Sequence, residues 1–171
     1  MLVENHIFEN IKERRSIRDF KEADIPTEIL ERLIEAGSYA PSGHNNQPWR
    51  FIIVKNKEFK NHLSEFTVYK KIINKANSLI LVFMDKEASY HREKDIMAIG
   101  AAIQNILLYA NSLGIGSCWL GEILKNAVKI RDICELPEKY ELFCVIALGW
   151  IDKKPKPVGR EPVSKLILKV I

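Results

Sequence analysis

Three arginines and a serine fall within five residues, Arg14-Arg15-Ser16-Ile17-Arg18. Guanidinium groups are planar, permanently charged and rich in donors, so a cluster built on arginine alone, with a hydroxyl embedded in it, suits a phosphate. A solvated charged face is the other reading of such a run. A second constellation, Ala40-Pro41-Ser42-Gly43-His44-Asn45-Asn46-Gln47-Pro48-Trp49, has the composition of a connecting loop. Two consecutive amides and a glutamine, held between apolar elements, also make a polar rim for a heterocyclic ligand.

The remaining reactive side chains point elsewhere. His6, His44, His62 and His91 show no metal-binding spacing, and Cys118, Cys134 and Cys144 form no Cys-x-x-Cys pair, so neither a metal site nor a disulfide framework is expected. Cys118 and Trp119 read as packing residues. Gly114-x-Gly116 lacks the preceding strand and third glycine of a dinucleotide fingerprint.

Both constellations need elements to position them. A short amphipathic segment containing Ile7, Phe8 and Ile11 precedes the arginines. Ile29, Leu30, Leu33 and Ile34 recur at helical spacing, with Pro26 just inside the start and Gly37 and Pro41 at the end. The loop then leads into Trp49–Val54, rich in β-branched and aromatic residues, which predicts a buried strand; Ser78–Met84 and Leu142–Leu148 repeat that character and should share its sheet. Between them, Ile96, Ile99, Ile103, Ile106, Leu107 and Ala110 predict a helix over 93–113 stopped at Gly114, and Met97, Ala98, Ala101, Ala102 and Leu108 widen its apolar face toward burial on most sides. Asp152–Pro162, with three prolines, reads as a linker to a final strand, Lys165–Ile171, whose Leu166, Leu168 and Val170 share one face. An apolar strand at a chain end implies a docking surface.

The whole chain, 171 residues at 47% hydrophobic and 28% charged, predicts one domain that buries roughly 70% of its unfolded surface. With 26 basic and 22 acidic residues and no aromatic-interleaved basic stripe, no nucleic-acid partner is expected. Met1–Asn10 lacks an apolar leader core and no run is long enough to span a bilayer, so no membrane association and a cytoplasmic location are expected.

The two constellations together resemble the flavin-dependent nitroreductases. That family's first motif reads Arg-Arg/His-Ser-x-Arg/Lys-x-Phe, matched by Arg14, Arg15, Ser16, Arg18 and Phe20; its second reads Pro-Ser-x-x-Asn-x-Gln-Pro-Trp, matched by Pro41, Ser42, Asn45, Gln47, Pro48 and Trp49. The run Gly114–Gly121 is similar to the family's glycine-containing turn after the long central helix, and Gly159-Arg160 to its last motif. The likeness extends from Ile11 to Leu166.

The resemblance implies an α+β fold with a central mixed β-sheet flanked by helices, a single FMN-binding domain over residues 1–171, and a homodimer that exchanges its C-terminal strand. It implies that Arg14, Arg15, Ser16 and Arg160 hold the FMN phosphate and that Arg18 sits near the pyrimidine edge of the flavin. Pro41, Ser42, Gly43 and Asn45 would contact the flavin from the partner subunit, Gln47 belongs to the same motif, and the backbone at Leu120 and Gly121 would face N5. The expected activity is hydride transfer from a reduced nicotinamide to a nitroaromatic or quinone acceptor by ping-pong chemistry, with the flavin rather than a side chain as the reactive group. Gly43 stands where many relatives have a second serine, and the spans between Lys55 and Lys75 and after Gly121 leave little room for helices that roof the substrate site in larger relatives. Reductive dehalogenation on the same fold, a non-catalytic flavin-binding protein and a basic interaction protein are the alternatives.

Overall fold

A computed structural model describes residues 5–171; the reading of Met1–Glu4 as part of a segment without a leader lies outside the described residues. In chain order the elements are α1 (His6–Glu13), β1 (Asp19–Phe20), α2 (Thr27–Ser38), a 3-10 turn (Gly43–Asn45), β2 (Trp49–Val54), α3 (Lys57–Ser64), α4 (Lys70–Lys75), β3 (Ser78–Asp85), α5 (Arg92–Ser112), β4 (Ile115–Leu120), a second 3-10 turn (Glu122–Asn126), α6 (Ala127–Ile133), β5 (Tyr140–Lys153) and α7 (Val163–Leu166). The fold is α+β, as expected.

β5 is the spine of the sheet. Its first part pairs with β3, its middle with β4, and Ile151 and Lys153 pair with β1, while β2 flanks β3. Every named pairing is antiparallel, and the parallel element among the described residues is the isolated bridge between Ser16 and Ser117. All eight residues of β3 are buried, because the sheet is covered on both faces. Ile80, Val82, Met84, Cys144, Ile146 and Leu148 pack against α2 and α5; Leu79, Leu81, Phe83, Leu142, Val145 and Ala147 pack against Ile17, Phe20, α3, α4 and α6. The even-numbered Leu142 joins the odd-numbered set because the register slips at Phe143, a one-residue bulge that reverses the side-chain alternation.

The arginine motif is laid across this sheet. Gly116 and Gly149 face each other in the β4–β5 register, and a Cβ on them would stand 2.8 Å from Ile17 and 2.6 Å from the Phe20 ring. The paired glycines therefore clear the groove through which residues 17–20 cross. Main-chain bonds fasten the crossing at both ends, from the Ile17 amide to the Ser117 carbonyl at 2.9 Å and from the Lys21 amide to the Trp150 carbonyl at 2.8 Å.

Several expectations need correction. Gly114–Gly121 is not mainly a turn: Gly114, at φ +73°, ends the long helix in the left-handed region, and Ile115–Leu120 continues as β4. Cys118 is buried there, but Trp119 points outward and is 45% exposed, because neighbours on a strand face opposite sides. β2 is an edge strand and only partly buried, with Arg50 exposed. The long helix leaves Met97 and Ile96 uncovered, so its burial is one-sided in the single chain. Lys165–Ile171 is not a strand: the helical turn α7 runs through Leu166, and Leu168, Val170 and Ile171 are almost fully exposed, since a lone terminal segment has no ladder to join. Apart from these corrections, the span between Lys55 and Lys75 holds α3 and α4, whose Leu63, Ile72 and Ile73 pack into the core. Among the described residues no helix is long and apolar enough to cross a membrane.

Candidate functional site

α1 delivers the arginines. Its amide at Ile7 donates to the Asn5 side chain at 2.9 Å, and Asn10 ties the helix to α5 by donating to the Leu108 carbonyl at 2.9 Å and accepting from Asn111 Nδ2 at 2.6 Å. The helix breaks at Arg14, whose ψ of 132° turns the chain outward, and three residues later β4 captures it. Arg14, Arg15 and Ser16 are thus held between a helix end and a strand edge.

The C-terminal segment closes over them. Arg14, Arg15, Ser16 and Arg18 line a cavity of about 210 Å³ with Pro155, Lys156, Val158 and Arg160. Arg15 donates to the Arg14 carbonyl at 2.8 Å and to the Lys12 carbonyl, Arg18 to Ser16 at 3.3 Å, and Arg160 to Val158 and Gly159 at 3.2 and 3.1 Å. Among the described residues, none of these arginines nor Lys156 meets a carboxylate. Burial, then repulsion from Arg160 and Arg15, pushes the Arg14 guanidinium below its ordinary pKa. Like charges gathered without a counter-charge are relieved by a bound anion, and a phosphate dianion with several acceptor oxygens matches this donor set.

The second constellation is a strained loop. His44, Asn45 and Gln47 all take positive φ, at 52°, 55° and 45°, a cluster of left-handed non-glycine residues that costs on the order of 1–3 kcal/mol each and survives only where surroundings impose it. Asp95, fully buried in the first turn of α5, anchors Asn46 in the middle of this run. Its carboxylate accepts from Asn46 Nδ2 at 2.8 Å, from Ser89 Oγ at 2.6 Å and from the Tyr90 and His91 amides at 3.1 Å. Burial opposes its ionisation, but those four donors outweigh it and hold the carboxyl below the usual range. Ser42 Oγ accepts from the Gln47 amide at 3.1 Å, which pins the turn internally. Pro41, Ser42 and Gly43 line one cavity with α5, and the side chains of Asn45 and Gln47 are exposed.

One chain therefore assembles Arg14, Arg15, Ser16, Arg18 and Arg160 around one cavity and Pro41, Ser42 and Gly43 around another, with no residue in common. Leu120 is buried at the end of β4, next to the exposed Gly121. Asp95, Tyr90 and Lys156 escaped the sequence reading. A lone aspartate opening a long apolar helix was the available signal for the first; neither of the others had one. Among the described residues no group of His, Cys, Asp and Glu forms a metal site, and the three cysteines are free.

The profile of the nitroreductase family matches residues 11–68 and 60–150. The chain is 36% identical over 140 residues to a provisionally named NADH dehydrogenase/NAD(P)H nitroreductase of Archaeoglobus fulgidus, covering 80% of each. It is 27% identical over 175 residues to the NADPH-flavin oxidoreductase of Vibrio harveyi, covering 95% of this chain and 73% of that one. A crystal structure from Desulfovibrio desulfuricans, provisionally named a nitroreductase and solved in complex with FMN, superposes with a TM-score of 0.94 at 36% identity over 99% of both chains.

Proposed function

The chain belongs to the nitroreductase family, and from that premise we propose that it is an FMN-dependent NAD(P)H oxidoreductase acting as a homodimer. The uncompensated arginine cavity carries this reading. Arg14, Arg15, Ser16 and Arg160 would hold the phosphate, with Lys156 added by the closing segment. When bound, FMN supplies two-electron chemistry at its N5, so the chain's own task is to bind, orient and polarise. Arg18 would stabilise negative charge at the pyrimidine edge, which favours the reduced ring. The backbone at Leu120 and Gly121 would lie toward N5, and the loop from Pro41 to Gln47, with Asn45 at its tip, would pack on the ring bound by the other subunit.

Three observations support the dimer. The two cavities are separate in one chain, so a second copy is needed to bring them together. Ile7, Phe8, Ile11, Tyr39 and Met97 also leave an apolar face at 45–81% exposure around α1, α2 and α5. The outer edge of β2 lies beside a cavity of about 600 Å³ lined in part by Ile52, Val54 and Phe59, a site for the apolar C-terminal segment of a partner. Donor and acceptor would use the flavin in turn, the donor a reduced nicotinamide and the acceptor a nitroaromatic or quinone.

The test is direct. Freshly purified protein should be yellow and release FMN at about one per chain on heat denaturation, and initial-rate plots with NADH or NADPH should be parallel. A colourless protein that takes up no added FMN would refute the cofactor; intersecting plots would refute the alternating order.

A further inference from the structure

The turn that follows β4 is fastened at both ends to the segment between α3 and α4. Glu122 Oε2 accepts from Thr67 Oγ1 at 2.6 Å and from the Val68 amide at 3.2 Å, and at the far end of the turn Asn126 Nδ2 donates to the Phe66 carbonyl at 2.8 Å. Thr67 is buried, and its hydroxyl accepts from the Tyr69 amide at 3.2 Å, so its own proton is committed to the carboxylate. Lys125 pairs with the other carboxylate oxygen, and hydrogen bonds from Lys125 and Thr67 hold the Glu122 carboxyl below the usual range. The charged acceptor is therefore present at neutral pH. Gly121, the residue before it, is exposed, and a Cβ there would meet nothing within 4 Å, so no side-chain packing sets its position. Leu120 and Ile123 are buried and fix how deep the turn sits, and the Leu124 amide closes it on the Gly121 carbonyl at 3.1 Å. Its tie to a second segment is the Glu122 latch.

We propose that Glu122 is a positioning residue: by latching onto Thr67 and Val68 it fixes the Gly121 peptide, the stretch of backbone that the functional reading turns toward flavin N5. The inference rests on that reading. In this role Glu122 acts through the backbone and needs no contact with flavin or substrate. A main-chain group beside a reacting atom contributes only when it is held in place, and a glycine peptide, with the greatest backbone freedom, needs an external brace. A carboxylate serves better than a neutral acceptor because charge strengthens both of the bonds that Oε2 takes. The arginine cavity is built from other segments, within residues 14–18 and 155–160, so loosening the latch should alter the flavin's reaction more than its retention.

Amide hydrogen exchange and single-turnover reduction of FMN-saturated protein test this together. In Glu122→Ala the Val68 and Tyr69 amides, which the latch protects, and the Leu124 amide, which reports on Gly121, should all exchange about tenfold faster. The limiting rate of flavin reduction by NADH or NADPH should fall about tenfold, while the half-saturating donor concentration and the FMN dissociation constant change less than about twofold. Thr67→Val, which keeps the carboxylate but removes one donor, should give a smaller loss of the same kind, and it decides by the same readouts should Glu122→Ala fail to fold. Glu122→Gln, whose amide oxygen still accepts, should recover most of both effects. Lys125→Ala leaves both donors on Oε2 and should behave as wild type. Faster exchange confined to Val68 and Tyr69 with Leu124 unchanged, or an unaltered limiting rate in Glu122→Ala, overturns this inference and leaves the cofactor assignment standing. A protein that takes up no FMN overturns the functional reading and the inference with it.

Discussion

At the scale of single residues, the arginines differ in what they must do. Arg14 is partly buried between Arg15 and Arg160, so reversing its charge removes the anchor for an anion: Arg14→Glu should purify without FMN, read as loss of visible absorbance. Arg18 lines the same cavity but is exposed, so Arg18→Gln should keep FMN but lower its reduction potential, measured by a redox titration against a reference dye. Asp95 governs the loop rather than the phosphate. Its folded pKa is depressed below the ordinary carboxylate value near 3.9, so its contribution is complete above that value and is lost as the pH falls through the lower folded one. Asp95→Asn should cost about 1.5–3 kcal/mol in urea unfolding at neutral pH, and the variant should lack the wild type's extra acid sensitivity below about pH 4. The arginine, serine and loop residues were legible because polar types at unusual density need no fold to be noticed. Asp95 was not, since a single acidic residue on a helix becomes an anchor only when burial and four donors surround it.

At the scale of elements, apolar periodicity located α2, α5, β2, β3 and β5 to within a few residues, because each buries one face against a layer. The sequence of β4 reads as a turn, since Gly114 and Gly116 look alike in sequence. Gly114 supplies a left-handed conformation, whereas Gly116 supplies empty space beneath Ile17. That distinction makes a prediction: Gly116→Ala and Gly149→Ala should each destabilise by about 1–3 kcal/mol, as overpacking does, and should also weaken FMN binding because the displaced segment carries Ser16 and Arg18. Gly114→Ala should destabilise comparably yet leave FMN affinity nearly unchanged. Equal FMN affinities in all three would break the link between the crossing segment and the cavity.

At the scale of the whole molecule, Ile7, Phe8, Ile11, Tyr39 and Met97 around α1, α2 and α5, and Leu166, Leu168 and Val170 in the C-terminal tail, are left uncovered where the proposed partner would cover them. Removing residues 163–171, which retains Arg160, should shift the protein from dimer to monomer in sedimentation and abolish turnover, because the loop that completes the site comes from the other copy. A truncated chain that stays dimeric would place the contact on the α1 and α5 face alone.

Residue types and their spacing were enough to determine the family, the arginine cluster, the loop and the main helices and strands. Those properties are local: they follow from charge density, hydrophobic period and motif order. Tertiary structure alone decided that the C-terminal Lys156 and Arg160 share a cavity with Arg14, that paired glycines carry the arginine segment across the sheet, and that Asp95 anchors Asn46 among three left-handed residues. It also decided that the final apolar residues form no strand within one chain. Each of these depends on contacts between segments far apart in sequence, and a strand exists only where another strand accepts its hydrogen bonds.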